Sequence, residues 1–216
     1  MDDEQLSRLS WMHAVAEAKD RLGPWDPIAP SDAAQLFERV PFWWAVGGGW
    51  AIDMFLDAQT RRHHDLDIAV ARHELRLVFE TLCLQGWDCH VAASGKLTPW
   101  RGERLDTGEN NIWCRRPGDH YWRFDLVMTE IDDGDWVFRR NPRVRLRIDE
   151  AITIGSPSYV SPHVQLLFKA RHRQPKDEAD LAAALPRLDL ARRRWLHHAL
   201  RTSEGPTHPW VALTAA

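Results

Sequence analysis

Apolar residues near the start recur at three-to-four spacing: Leu6, Leu9, Met12 and Val15 fall on one side of a helix, and Gly23-Pro24 ends the pattern. The spacing predicts an amphipathic helix over 3–22. Residues 23–30 are rich in Pro and turn formers, after which Ser31 can cap a short helix running to 39. The rhythm then changes. A compact apolar run over 42–46 precedes Gly47-Gly48-Gly49, and 50–56 resumes helical periodicity, so strand, glycine turn and helix are expected in succession. Over 65–70 acidic and apolar residues alternate, the period of a strand.

Further along, 73–84 reads as a helix closed by Gly86, 87–92 as a strand and 94–110 as a loop. Strands are predicted over 111–115, 121–129, 136–139 and 144–148, the middle two joined by the turn Asp132-Asp133-Gly134. Ser161-Pro162 then opens a helix over 164–171, and 176–185 and 190–200 follow as helices. The fold class expected is α+β, a mixed β-sheet flanked by helices with a helical C-terminal segment. Residues 1–155 would form the sheet-bearing domain and 156–216 the helices packed on it.

Composition narrows the class without changing this picture. The chain has 216 residues, 44% apolar and 27% charged, which supports a buried core and argues against disorder. No segment approaches the roughly 18 apolar residues of a spanning helix, and the acidic opening has the wrong charge for a signal peptide. A cytoplasmic protein without a membrane partner is expected. The three cysteines, Cys83, Cys89 and Cys114, match neither a disulfide framework nor a CxxC site. A net charge of -3 lacks the basic excess that favours a phosphate backbone, so a nucleic-acid partner is not expected.

The chemistry concentrates in Val46 to Val70. In a strand, residues two apart share a face, so Asp65 and Asp67 would be parallel carboxylates while Leu66, Ile68 and Val70 enter the core. At about 6.7 Å and an effective dielectric near 20, their bare repulsion is about 2.5 kcal/mol, which a hard divalent cation with oxygen ligands relieves. Upstream, the glycines expose backbone N–H groups at a helix start, a site that favours an anion. A glycine run is more often a tight turn, and an acid-x-acid pair more often a solvated strand face. Their order and spacing together suit a metal-assisted attack on a nucleoside triphosphate.

Gly47-Gly48-Gly49-Trp50-Ala51-Ile52-Asp53, Thr60-Arg61 and His64-Asp65-Leu66-Asp67-Ile68 resemble the nucleotidyltransferase superfamily with a DNA polymerase beta-like fold. Within it they are similar to the aminoglycoside 2''-adenylyltransferase and lincosamide nucleotidyltransferase group. Weaker similarity extends through Asn110 to Arg115, Trp136 to Arg140, Gln165 to Ala170, Lys176 to Asp180 and His208 to Trp210. The resemblance implies an enzyme that moves a nucleoside monophosphate, AMP from ATP, onto a hydroxyl of a small molecule such as an aminoglycoside-like antibiotic. It implies one or two Mg ions on Asp65, Asp67 and a third carboxylate acting as ligand or base, for which Asp125 is the best placed candidate. Asp106, Glu109 and Glu130 compete for that role, and Asp125 could instead serve in an ion pair. Gly48 and Gly49 would receive the triphosphate.

Arg61 and Lys169 are candidate phosphate contacts, with Lys176 a second choice and Arg62 a neighbour of Arg61; charge balance or a solvated helix face explains each nearly as well. Asp53 reads as a brace for the glycine loop. Adjacent His63 and His64 point in opposite directions on an extended chain, which disfavours zinc. Trp100 and Trp113 could stack on a base or could belong to the core. Asp132, Asp133, Asp135, Asp177, Glu178 and Asp180 would attract a cationic acceptor, whereas Arg139, Arg140, Arg143, Arg145 and Arg147 could build a local groove for tRNA. A toxin-type enzyme acting on tRNA or protein and a decayed nucleotide-binding protein are the rival readings.

Overall fold

A computed structural model of the chain describes residues 22–215; the helix expected over 3–22 lies outside them except for Leu22. After Pro30–Leu36 (α1), the chain forms Trp44–Val46 (β1), turns through Gly47 into Gly48–Leu56 (α2) and returns as Asp67–Ala71 (β2). A 3-10 turn leads into Leu75–Leu84 (α3), then Asp88–Ala93 (β3) and Lys96–Pro99 (β4). Asn111–Arg115 (β5) and Phe124–Asp132 (β6) follow, with Asp135–Val137 (β7) and Arg145–Arg147 (β8) extending the sheet as a meander. Ile148–Ala151 (α4), Ile152–Thr153 (β9) and Tyr159–Val160 (β10) precede the helices Pro162–Ala170 (α5), Pro175–Ala184 (α6), Leu190–Ser203 (α7) and Pro209–Thr214 (α8).

The strands run in the order β4-β3-β5-β6-β2-β1-β10-β9. The pairs β2 with β6 and β1 with β10 are parallel, and the remaining neighbours are antiparallel, giving the mixed sheet of an α+β fold. Strand alternation sorts side chains into two cores. Ile68, Val70, Ile112, Leu126 and Met128 pack with Phe37 and with Leu75, Val78 and Leu82 of α3. On the other side Ala45 and Ala69 join Ile52 of α2, Leu166 and Leu167 of α5, Leu196 and Leu200 of α7, and Trp210.

Several local expectations need adjustment. The acidic strand begins at Asp67 rather than Asp65, so Asp65 stands before the ladder. The segment 94–110 contains β4, because Ser94 (φ 50) and Gly95 (φ 71) both take left-handed geometry and close a two-residue hairpin. β10 lies beyond the boundary expected at 155 and still pairs with β1, so the C-terminal segment contributes to the sheet. At the predicted turn Asp132-Asp133-Gly134, Asp133 (φ 49) and Gly134 (φ 78) provide the backbone that such a hairpin needs. Trp100 is a core residue packed edge-on to Phe79. Among the described residues, no helix is long and apolar enough to cross a membrane.

Candidate active site

Parallel pairing of β2 with β6 sets Asp67 directly beside Asp125. Register partners share a face, so Asp67 and Ala69, Asp125, Val127 and Thr129, and Asn111 of β5 form one surface opposite the α3 core. With strands about 4.8 Å apart and a dielectric near 20, the bare repulsion between the two carboxylates is about 3.5 kcal/mol. Asp125 is buried and accepts a hydrogen bond from Asn111 Nδ2 at 2.7 Å, while its backbone N–H donates to Leu66 O at 2.8 Å. Asp67 opens into a cavity of about 200 Å³ whose walls include Gly48, Asn111, Thr129, Arg139, Arg140, Gln165 and Phe168.

Asp65 does not line that cavity. It borders a second, larger depression of about 540 Å³ with Trp25, Arg61, Arg62, His64 and Lys176. Among the described residues, no three His, Cys, Asp or Glu side chains are grouped as a metal site. The acids expected as a trio are thus a facing pair, Asp67 and Asp125, with Asp65 one step away, because the ladder starts at Asp67. Of the competing acids, Glu130 is paired with Arg72 at 2.5 Å and Glu109 accepts from the backbone of Asp106.

The glycine turn presses against these acids. Gly47 N donates to Asp67 O at 2.8 Å. Gly48 has φ +63, and a Cβ placed there would overlap the Asp67 carboxylate; one on Gly49 would run into the Arg61 guanidinium and the His63 ring. Both positions exclude larger residues by close approach, and at Gly48 the left-handed backbone adds to the restriction. The Gly48 N–H, at the positive end of α2, donates to Gln165 Oε1 at 3.1 Å. Periodicity gives no hint of Gln165 or of Asn111, since both act only through long-range contacts.

Behind the turn lies an ion network. Asp180 accepts from Arg61 Nε at 2.9 Å and Nη2 at 3.0 Å, and Lys169 Nζ reaches Asp177 at 3.1 Å and Asp180 at 2.8 Å. Burial pushes the Asp180 carboxyl up, but Arg61 and Lys169 outweigh it and hold the group below its ordinary range. Arg61 and Lys169, expected at phosphate, are both held by these carboxylates. Asp53, expected to brace the glycine loop, instead ties down the segment that follows α2, accepting from Thr60 N at 3.1 Å, Thr60 Oγ1 at 2.5 Å and His63 Nε2 at 2.5 Å. The His63 ring stacks on Trp50, and burial lowers its pKa despite Asp53, so it stays neutral near pH 7; His64 is exposed.

Arg139 and Arg140 leave β7 and turn into the cavity beside Asp67. The remaining arginines of the basic run do not join them. Arg145 is taken up by Asp132 and Asp135, and Arg147 by Asp135. The acids credited with attracting a cation are likewise engaged: Asp177 and Asp180 are buried in the network, and Glu178 binds Arg173 and Trp210. That acidic stretch therefore provides no open surface for a cationic acceptor, because its charges are neutralised by close partners.

The family profile for aminoglycoside-2''-adenylyltransferase matches residues 31–99, which include the glycine turn, Asp65 and Asp67 but stop short of Asp125. No curated protein matches the chain in sequence. Among solved structures, the lincosamide antibiotic adenylyltransferase LnuA bound to lincomycin is similar at TM-score 0.51 and 19% identity, covering 73% of this chain and 96% of that one. ANT(2'')-Ia in complex with adenylyl-2''-tobramycin superposes at TM-score 0.53 and 15% identity, covering 77% and 91%. The solution structure of the antibiotic-resistance factor ANT(2'')-Ia gives TM-score 0.52 and 16% identity, covering 86% and 96%. The chain is thus similar in fold to the lincosamide and aminoglycoside adenylyltransferases, and its segment 31–99, which carries the glycine turn and the acidic strand, matches the aminoglycoside-2''-adenylyltransferase profile.

Proposed function

We propose that the protein is a metal-dependent nucleotidyltransferase that moves AMP from ATP onto a hydroxyl of a small molecule. The observation that carries this reading is the register of Asp67 with Asp125 across parallel strands, on the face where Gly48 closes over Asp67. Two carboxylates forced together beside a backbone cradle suit a hard divalent cation with phosphate oxygens completing its shell. Asp67 and Asp125 would hold Mg, joined by Asp65 from the neighbouring depression. The cation would supply charge neutralisation on the phosphates and polarise the α-phosphorus.

This chain's residues account for the rest. The α2 N-terminus at Gly48 and Gly49 would receive phosphate oxygens in place of the Gln165 Oε1 that meets the Gly48 N–H, and Arg61 and Lys169, matched by Asp177 and Asp180, brace the turn from behind. Asp125, oriented by Asn111, accepts the acceptor's hydroxyl proton. The acceptor oxygen bonds to the α-phosphorus, the bond from the α-phosphorus to the bridging oxygen of the β-phosphate breaks, and pyrophosphate leaves. Lincomycin and adenylyl-2''-tobramycin, bound by the similar proteins, support a small hydroxylated acceptor. A tRNA-modifying reading loses its basic groove, since the arginine run is split between a cavity and surface ion pairs.

The test is incubation with each nucleoside triphosphate, Mg and candidate antibiotics, read by mass spectrometry. A gain of one nucleoside monophosphate on the acceptor, absent in Asp67→Ala, is expected. ATP with Mg should raise the melting temperature more than either alone, because each completes the other's coordination. Labelled nucleotide appearing on tRNA instead would overturn the small-acceptor reading.

A further inference from the structure

The cavity beside Asp67 contains two guanidinium groups that the proposed reaction has not used. Arg139 Nη1 donates to Met128 O at 3.2 Å and lies over the Phe168 ring at 5.0 Å; Arg140 Nη1 donates to Phe168 O at 2.8 Å. Neither is within salt-bridge distance of a carboxylate among the described residues, although both are partly buried and adjacent. Burial first and neighbouring arginines second hold both pKa values down, that of Arg140 at about 10, although Asp125, Glu130 and Asp67 pull Arg139 the other way and Glu204 does so for Arg140. Two like charges removed from water and bonded only to carbonyls are costly unless an anion joins them. Each guanidinium has five N–H donors and makes a single hydrogen bond among the described residues, so donors remain for a ligand. The same cavity holds Gly48 and Asp67, and Trp43, Trp136 and Phe168 give it an aromatic wall.

We infer that Arg139 and Arg140 form an oxyanion-binding site that receives the polyphosphate tail of the nucleotide donor. Forked guanidinium donors match phosphate oxygens, and the charge of the pair would stabilise pyrophosphate as it departs. The identity of the donor rests on the function proposed above; the oxyanion site does not. The same chemistry would also bind an acidic group on the acceptor, and the two sources are separable.

Isothermal calorimetry on the whole metal-free protein, with inorganic tripolyphosphate in one arm and galacturonate in the other, tests the assignment. Tripolyphosphate should bind, with affinity falling about tenfold or more in Arg139→Gln and Arg140→Gln, falling less in Arg139→Lys, and unchanged in the surface control Arg76→Gln. Binding of galacturonate alone with that same dependence would assign the site to the acceptor and overturn the polyphosphate assignment. Failure of the wild type to bind either ligand, or binding by folded Gln variants as tight as wild type, would overturn the site itself. If the Gln variants do not fold, the Lys variants carry the comparison, since they keep the charge and lose the fork. Arginine-dependent binding without nucleotide transfer would sink the proposed function alone. Transfer with arginine-independent binding would sink only this inference.

Discussion

Two groups of charges meet at the glycine turn, and they are balanced differently. Behind the turn, Arg61 and Lys169 are matched by Asp177 and Asp180 at 2.8 to 3.1 Å, a closed set that needs nothing from solvent. In front of it, Asp67 stands beside Asp125 on one wall of a cavity, with Arg139 and Arg140 on another. Closed charge sets orient a scaffold. Charges of both signs facing one another across a cavity suit a ligand of both signs, such as a metal with phosphates. The difference teaches which charges to assign to architecture and which to binding.

The largest test of that division contrasts Asp67 with Asp65. Asp67→Ala should lower nucleotide transfer by about 10³-fold or more, equivalent to about 4 kcal/mol of transition-state stabilisation. Without metal its melting temperature should hold or rise, since a repulsion with Asp125 is removed. Asp65→Ala should also impair transfer but should not raise the melting temperature, because Asp65 attracts Arg61 in the neighbouring depression. Parallel rate and melting measurements check both; a metal-free loss for Asp67→Ala would make that acid architectural.

Breaking the closed set should act on stability. Asp180→Asn leaves Arg61 and Lys169 short of a buried partner and should cost about 3 kcal/mol in denaturant unfolding at pH 7. Because the Asp180 carboxyl is depressed below its ordinary 3.8, its contribution is present above that value and is lost as pH falls through the lower folded value. The variant should accordingly lose part of the wild type's acid sensitivity below pH 4.

Gly48→Ala tests the contact between turn and acid. With φ +63 and the Asp67 carboxylate in the way, the added methyl should cost about 2 kcal/mol and displace Asp67, so that activity falls further than stability. Comparison of the melting shift with the transfer rate checks this.

The smallest effect belongs to a buried group with no charge to balance. Burial, with Arg192 adding to it against Asp189, lowers His163 to about 3, so it is neutral when folded, its ring edge-on to Trp195. The unfolded chain binds a proton below about 6.5 that the folded chain refuses, so His163 costs stability increasingly as pH falls from 6.5 toward 3. His163→Phe should flatten the decline in melting temperature between pH 7 and 5, well above the window of Asp180.

Local pattern was sufficient where one segment forms its own element. The run 42–46, the glycines and the helical periodicity after them specify β1, turn and α2, and the alternation around Ile68 and Val70 specifies which side chains of β2 face the α3 core. The spacing of Asp67 and the apolar partners of Asp125 already separated a core face from a functional one. Ser94-Gly95 was hidden because a two-residue hairpin depends on backbone φ, not on composition. Pairing between distant strands was decided by tertiary structure alone: it put Asp67 beside Asp125, left Asp65 outside the ladder, and gave Gly48 the Gln165 side chain as acceptor. It also drew Arg61 and Lys169 onto Asp180 while leaving Arg139 and Arg140 to the cavity. A charge's role depends on which opposite charge comes within about 4 Å. Residues a hundred positions apart in sequence reach that distance only through the fold.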